Sequence, residues 1–160
     1  MTSQSENTNT SQSEYSNLEQ PGGSVLLSPD YIPSENEPYM NPRHLEFFRQ
    51  KLNEWKAELL RESAETIHNM QEQTGNEPDI ADRASTETDR SLELRARDRE
   101  RKLISKIDEA LRRIDDGTYG YCEETGDPIG ITRLMARPIA TLSLEAQERH
   151  EKEERVYRED

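Results

Sequence analysis

The chain is predicted to be mainly α: a long antiparallel two-helix coiled-coil hairpin, a small globular domain after it, and a C-terminal helix. Two observations carry this reading. Apolar residues recur at spacings of three and four on both sides of one turn, with Leu45, Phe48, Leu52, Trp55 and Leu59 before it and Leu103, Ile104, Ile107, Leu111 and Ile114 after it. Their distances from the turn mirror each other, so folding the chain back lays one row beside the other. Composition is the second observation. Hydrophobic residues make up only 30% of 160 positions and the net charge is -13, too little apolar material for a thick core. A coiled-coil seam needs only about two apolar positions in seven, so a long hairpin is still within reach.

The elements follow in chain order. Residues 1–38 are rich in Ser, Thr, Asn, Gln, Glu and Pro and contain no Lys or Arg, the composition of a disordered acidic tail. Val25-Leu26-Leu27 and Tyr31-Ile32 are its candidate docking motifs. Deleting residues 1–36 is expected to leave stability and partner binding nearly unchanged. The hairpin is assigned to 39–116. Asn41 is placed to cap its first helix and Pro42 suits the first helical position. The Thr74-Gly75-Asn76 stop ends that helix near Gln73, and Asp79 is placed to cap the second. The hairpin tip falls at 75–84. Toward it the seam thins, because Thr66, Asn69, Glu93 and Arg97 stand near seam positions, so the tip half is expected to be less stable locally. Asp115-Asp116-Gly117 closes the second helix. Residues 117–160 form the small domain, with turn chemistry at Tyr119-Gly120-Tyr121, Gly126-Asp127-Pro128 and Arg137-Pro138. Ile129, Ile131, Leu134, Met135, Ile139, Leu142 and Leu144 are its candidate core, and Ser143 is placed to cap the terminal helix.

Charge and residue types exclude several functions. An acidic balance argues against sequence-independent DNA binding, which needs clustered cations to neutralise phosphates. The single cysteine excludes an intrachain disulfide framework and fits a reducing compartment. No apolar run approaches the roughly 18 residues of a membrane span, and no charged start of a secretory signal precedes Arg43. A soluble, cytoplasmic protein is expected. His44, His68 and His150 are dispersed and read as surface residues. No nucleophile with an adjacent base, phosphate-cradling loop or metal-ligand spacing is present, so the chain reads as no enzyme.

Asp79 and Asp82 are the sharpest candidates for function. Both favour a helix N-terminus, by capping and by charge against the helix dipole. Carboxylates at the end of a long prong also suit a metal ion or basic groups in a partner, and the two roles coexist. Arg95, Arg97, Arg99, Arg101 and Lys102 alternate with Glu93, Asp98 and Glu100. That pattern makes a solvated helix face or a protein contact, and it lacks the interleaved aromatics that stack bases.

From Tyr39 to the C-terminus the chain resembles the DksA family of bacterial transcription factors. The resemblance rests on Tyr39-Met40-Asn41, Asp79-Ile80-Ala81-Asp82-Arg83-Ala84 and the run Ser91 to Ile104. It continues through Gly120-Tyr121-Cys122, Ile129-Gly130-Ile131 and Arg133-Leu134-Met135-Ala136-Arg137-Pro138. It implies a monomeric factor that inserts its prong into the secondary channel of RNA polymerase, against the β′ subunit. Such a factor acts with guanosine tetraphosphate (ppGpp) in the stringent response and destabilises open complexes at sensitive promoters such as those of ribosomal RNA, without touching DNA.

Carried over by position, Asp79, Asp82 and Ala84 match functional tip residues, and Arg95 and Arg99 match contacts to the channel rim. Leu103, Lys106 and Arg137 match the ppGpp site formed jointly with the polymerase. A further basic position of that site is Gln147 here, so one phosphate contact is lost or replaced. The small domain matches a zinc ribbon, but typical members carry four cysteines there. This chain has Cys122, Thr125, Ser143 and Ala146 at those places, which makes the domain a degenerate, zinc-independent version. No stoichiometric zinc is expected, and Cys122→Ser is expected to leave regulation largely intact. Two rivals remain open. A Gre-type transcript-cleavage factor also carries two acids on a coiled-coil tip, and a structural coiled-coil adaptor would use those acids only as caps.

Overall fold

The computed structural model describes residues 25–73 and 80–159. Among these residues four helices follow in order: α1 (Pro42–Gln73), α2 (Ile80–Asp116), α3 (Ile131–Ala136) and α4 (Leu144–Glu159). At about 1.5 Å per residue, α1 and α2 are roughly 50 Å rods, and they pack on each other. Two ion pairs set their direction: Arg49 to Asp115 at 2.7 Å and Lys56 to Asp108 at 2.6 Å. Seven residues forward on α1 correspond to seven residues backward on α2, which is an antiparallel register. Both pairs are largely solvated, so each contributes about 0.2–1 kcal/mol.

Apolar burial holds the hairpin at its base. Phe48, Leu52, Leu59, Ile107, Ala110 and Ile114 are buried, whereas Leu60, Leu92 and Leu94 are about half exposed. Between Leu59 and Ile107 no hydrophobic side chain is buried among the described residues. The thinning of the seam toward the tip is therefore real in the packing, and local opening should begin there. The start of α1 is capped as its sequence suggests, since the backbone N–H groups of Arg43 and His44 donate to Asn41 Oδ1 at 2.8 and 3.2 Å. Asp79 lies outside the described residues, and α2 begins immediately after it.

Residues 28–38, assigned to the tail on composition, make specific contacts with the hairpin base. Glu37 is their hub. Its carboxylate accepts from the Tyr31 hydroxyl at 2.8 Å and from the Ser34 N–H at 3.2 Å, and meets His44 Nε2 at 3.1 Å. The Arg43 guanidinium stands 4.4 Å over the Tyr31 ring, and that ring meets Phe47 edge-on at 6.1 Å. His44 is fully buried, not a surface residue, because this strap covers it. Burial works to raise the Glu37 carboxyl, but hydrogen bonds from Tyr31, Ser34 and His44 outweigh it and hold the group below its ordinary value. Deletion through residue 36 would remove Tyr31 and Ser34 from this hub. It should now lower the melting temperature by several degrees, the scale of a loss of about 1–2 kcal/mol, whereas deletion of residues 1–24 should leave it unchanged. Thermal denaturation of the two truncations checks this.

After α2 the chain turns at Gly117 and forms a knuckle whose ends meet in a single antiparallel bridge between Tyr121 and Pro128. The short α3 lies between the turns expected at Gly126-Asp127-Pro128 and Arg137-Pro138, in a stretch for which the sequence suggested core residues but no helix. Tyr119, Cys122, Ile129, Ile131, Leu134, Ile139, Ala140 and Ala146 are buried in this region. Leu144, expected in its core, is 57% exposed instead. It opens α4, where Ser143 Oγ accepts from the Ala146 N–H at 3.3 Å, and the small Ala146 faces inward in its place. Tyr119 supplies much of the volume. Its ring lies 5.5 Å from Phe48, and its hydroxyl donates to the Pro138 carbonyl at 2.7 Å.

Candidate functional site

A cleft of about 230 Å³ opens where the hairpin base meets the C-terminal region. One wall is α2, which presents Lys106, Glu109 and Arg113; the other carries Glu123, Arg133, Arg137, Gln147 and the segment 139–142. Helical geometry explains the first wall, because residues three and four apart share a face. The second wall depends on α3, whose last turn brings Arg133 and the following Arg137 to the same side, and on the first turns of α4, which supply Gln147.

Four basic side chains and two carboxylates line this cleft, on a chain whose net charge is -13. Two of the cations are held in place. Arg133 Nε donates to the Leu142 carbonyl at 3.0 Å. Arg113 is 13% exposed, lies 3.6 Å from Glu123, and its buried Nε has no partner among the described residues. Lys106 and Arg137 are exposed and available to an incoming anion. Gln147 Nε2 donates to Glu151 at 3.0 Å. A basic recess with fixed donors suits a ligand carrying several phosphate groups.

Lys106, Arg137 and Gln147, far apart in sequence, therefore share one cleft. Leu103 is half-buried one turn earlier on α2 and does not line it. Arg113 and Arg133 also line it, and the sequence pattern does not single them out. Lys106, Glu109 and Arg113 recur at three and four, a signal that one helix face carries them together. Nothing comparable in the sequence announces Arg133.

The prong residues lie elsewhere. Asp82 is in the first turn of α2, and Ala84 is exposed just beyond it. Arg95 and Arg99 are both exposed and four residues apart, hence on one face of α2. Asp79 is outside the described residues.

The donor set for a structural metal is poor. One thiol, two hydroxyls and a methyl group at Cys122, Thr125, Ser143 and Ala146 do not make the four-ligand sulfur and imidazole shell that zinc prefers. Cys122 is 3% exposed. Burial works to raise its thiol, but hydrogen bonds from the Thr125 hydroxyl and from the N–H groups of Ser143, Thr125 and Glu124 draw it from 9.0 down to about 6. Between pH 6 and 9 the unfolded chain then holds the extra proton, so stability should rise with pH across that window and be lost as pH falls through 6. Cys122→Ser should flatten this profile in pH-dependent denaturation, and a strong chelator should leave the melting temperature of the parent chain unchanged.

Comparisons with known proteins agree with this architecture. The family model described as DnaK suppressor protein DksA, N-terminal domain, matches residues 44–114. The model described as prokaryotic dksA/traR C4-type zinc finger matches residues 117–152, although this chain has one cysteine. The RNA polymerase-binding transcription factor DksA of Caulobacter vibrioides is 69% identical over 131 residues, covering 82% of this chain and 92% of that protein. Its counterpart in Escherichia coli K12 is 46% identical over 117 residues, covering 73% and 78%. The solved structure of transcription factor DksA2 from Pseudomonas aeruginosa superposes with a TM-score of 0.69 at 44% identity, covering 73% of this chain and 90% of that one. The chain belongs to the DksA family of RNA polymerase-binding transcription factors, a non-enzymatic family.

Proposed function

We propose that this chain enters the secondary channel of RNA polymerase, against the β′ subunit, and regulates initiation together with guanosine tetraphosphate. The hairpin is the reaching element. Its packed base carries the cleft, and the acids of the Asp79 to Ala84 segment act near the polymerase active centre. Arg95 and Arg99 lie along the shaft, where they would contact the channel rim. The chain itself supplies part of the ppGpp site, through Lys106 and Arg137 with Leu103 nearby, and the polymerase supplies the rest. Such a complex destabilises open promoters, including those of ribosomal RNA, with no contact to DNA.

The basic cleft at the hairpin base is the observation that carries this reading. A structural adaptor has no need to gather Lys106, Arg113, Arg133 and Arg137 in one recess at the cost of mutual repulsion. A Gre-type cleavage factor needs acids at its tip but no polyphosphate site at its base. Arg113 and Arg133 line the same cleft and would offset the missing cation at Gln147, so a response to ppGpp is expected despite that difference.

Three measurements test the reading together. The chain should bind core polymerase in a direct titration. It should inhibit a ribosomal promoter more strongly with ppGpp than without it, and it should leave stalled complexes uncleaved. Failure to bind polymerase would favour the adaptor, and stimulated transcript cleavage would favour the Gre-type factor.

A further inference from the structure

The cleft has two walls that belong to different parts of the chain, so its width depends on how firmly the knuckle and α3 are fastened to the hairpin. We propose that Tyr39 is the positioning residue that sets this width, although it lines no part of the cleft; the assignment rests on the functional reading above.

Tyr39 is itself held in the hairpin's frame. Two residues before it, Glu37 is fastened by Tyr31, Ser34 and His44. Two residues after it, Asn41 caps α1. Between these points Met40 takes a left-handed backbone, with φ of 51°, a conformation that costs energy in a non-glycine residue and persists only where its surroundings fix it. The Tyr39 ring is thereby aimed at the neck of the knuckle. Its hydroxyl donates to the Gly120 carbonyl at 2.6 Å and accepts from the Gly130 N–H at 3.0 Å. One oxygen thus ties both ends of the neck, where Gly120 also accepts from the Ile129 N–H at 2.8 Å. The ring meets Tyr121 edge-on at 5.6 Å. Contact is so close that a Cβ on Gly120 would come within 2.8 Å of Met40 Cγ and Sδ.

From the neck the connection runs to the cleft wall. The knuckle carries Glu123, whose N–H donates to the Thr141 carbonyl at 2.9 Å, and both residues line the cleft. Glu123 also meets Arg113 across it. Gly130 leads directly into α3, which carries Arg133. A single hydroxyl therefore stands at the root of two of the segments that form the wall facing α2, the knuckle and α3. With the Lys51 to Met135 carbonyl bond and the Arg113 to Glu123 pair, this hydroxyl refers the position of the knuckle and α3 to the hairpin.

Tyr39→Phe removes the hydroxyl and keeps the ring. In the full-length chain it should raise the ppGpp concentration for half-maximal inhibition by about two- to tenfold, the range that one lost hydrogen bond supports. Polymerase affinity without ppGpp should stay the same, a split that general destabilisation would not produce. Amide exchange at Gly130 should quicken. Met40→Ala, which loosens the same neck at Gly120 without touching the hydroxyl, should shift the ppGpp response in the same direction, and it carries the measurement if Tyr39→Phe fails to fold. A parent chain that responds to ppGpp beside variants with an unchanged half-maximal concentration would overturn the role of Tyr39 alone. A parent chain with no ppGpp response would overturn the reading of the cleft, and this assignment with it.

Discussion

Asp82→Asn is expected to abolish inhibition at a sensitive promoter while polymerase affinity falls only modestly. The substitution keeps size and hydrogen-bonding ability and removes one charge. Asp82 lies in the first turn of α2, where a carboxylate is favourable against the helix dipole by about 0.3–1 kcal/mol, so helix stability should fall by no more than that. Affinity is expected to come from the length of the prong and from exposed cations such as Arg95 and Arg99 along its shaft. Under the proposed function, the acid at position 82 acts on the target once the prong is seated. Transcription assays at saturating protein, beside a direct binding titration, separate the two contributions. A variant that inhibits normally when bound would reduce Asp82 to a helix-terminal charge.

Lys106→Ala and Arg137→Ala should each weaken the ppGpp response by about ten- to a hundredfold, because a hydrogen bond to a charged group contributes roughly 1.5–3 kcal/mol. Both side chains are exposed, so thermal stability should change by about 0.5 kcal/mol or less. Gln147→Lys should act in the opposite direction. It adds a cation to the cleft and keeps a partner one turn away in Glu151, so the response should sharpen several-fold. Inhibition measured against ppGpp concentration tests all three. Equal curves for the parent chain and Lys106→Ala would place the ligand elsewhere.

Much of this architecture was legible in one dimension because it rests on local rules. Helical periodicity is written in consecutive residues, so the α1 and α2 seam, the Asn41 cap and the Ser143 cap could be read directly, and the packing agrees with each. The thinning of the seam was legible for the same reason, since polar residues at seam positions have nothing apolar to bury. His44 was misplaced because its burial depends on the strap before α1, and composition is a poor guide to a segment ordered by one carboxylate. Glu37 gathers Tyr31, Ser34, Arg43 and His44, a constellation without any periodic signature.

By itself the sequence determined two long packed helices, a small C-terminal region with a single cysteine, and a C-terminal helix. The family resemblance also marked Lys106, Arg137 and Gln147, together with Leu103, as matching one ligand site. Only the tertiary structure decided that these three share a cleft, that Leu103 stays outside its lining, and that Arg113 and Arg133 join it. Helix periodicity places residues on a face, but it cannot say which distant face is brought opposite. That choice is made by long-range contacts such as Tyr39 to Gly120 and Gly130, Tyr119 to Phe48, and Lys51 to the Met135 carbonyl at 3.0 Å. Each joins segments with no pattern in common, and their geometry exists only once the chain has folded.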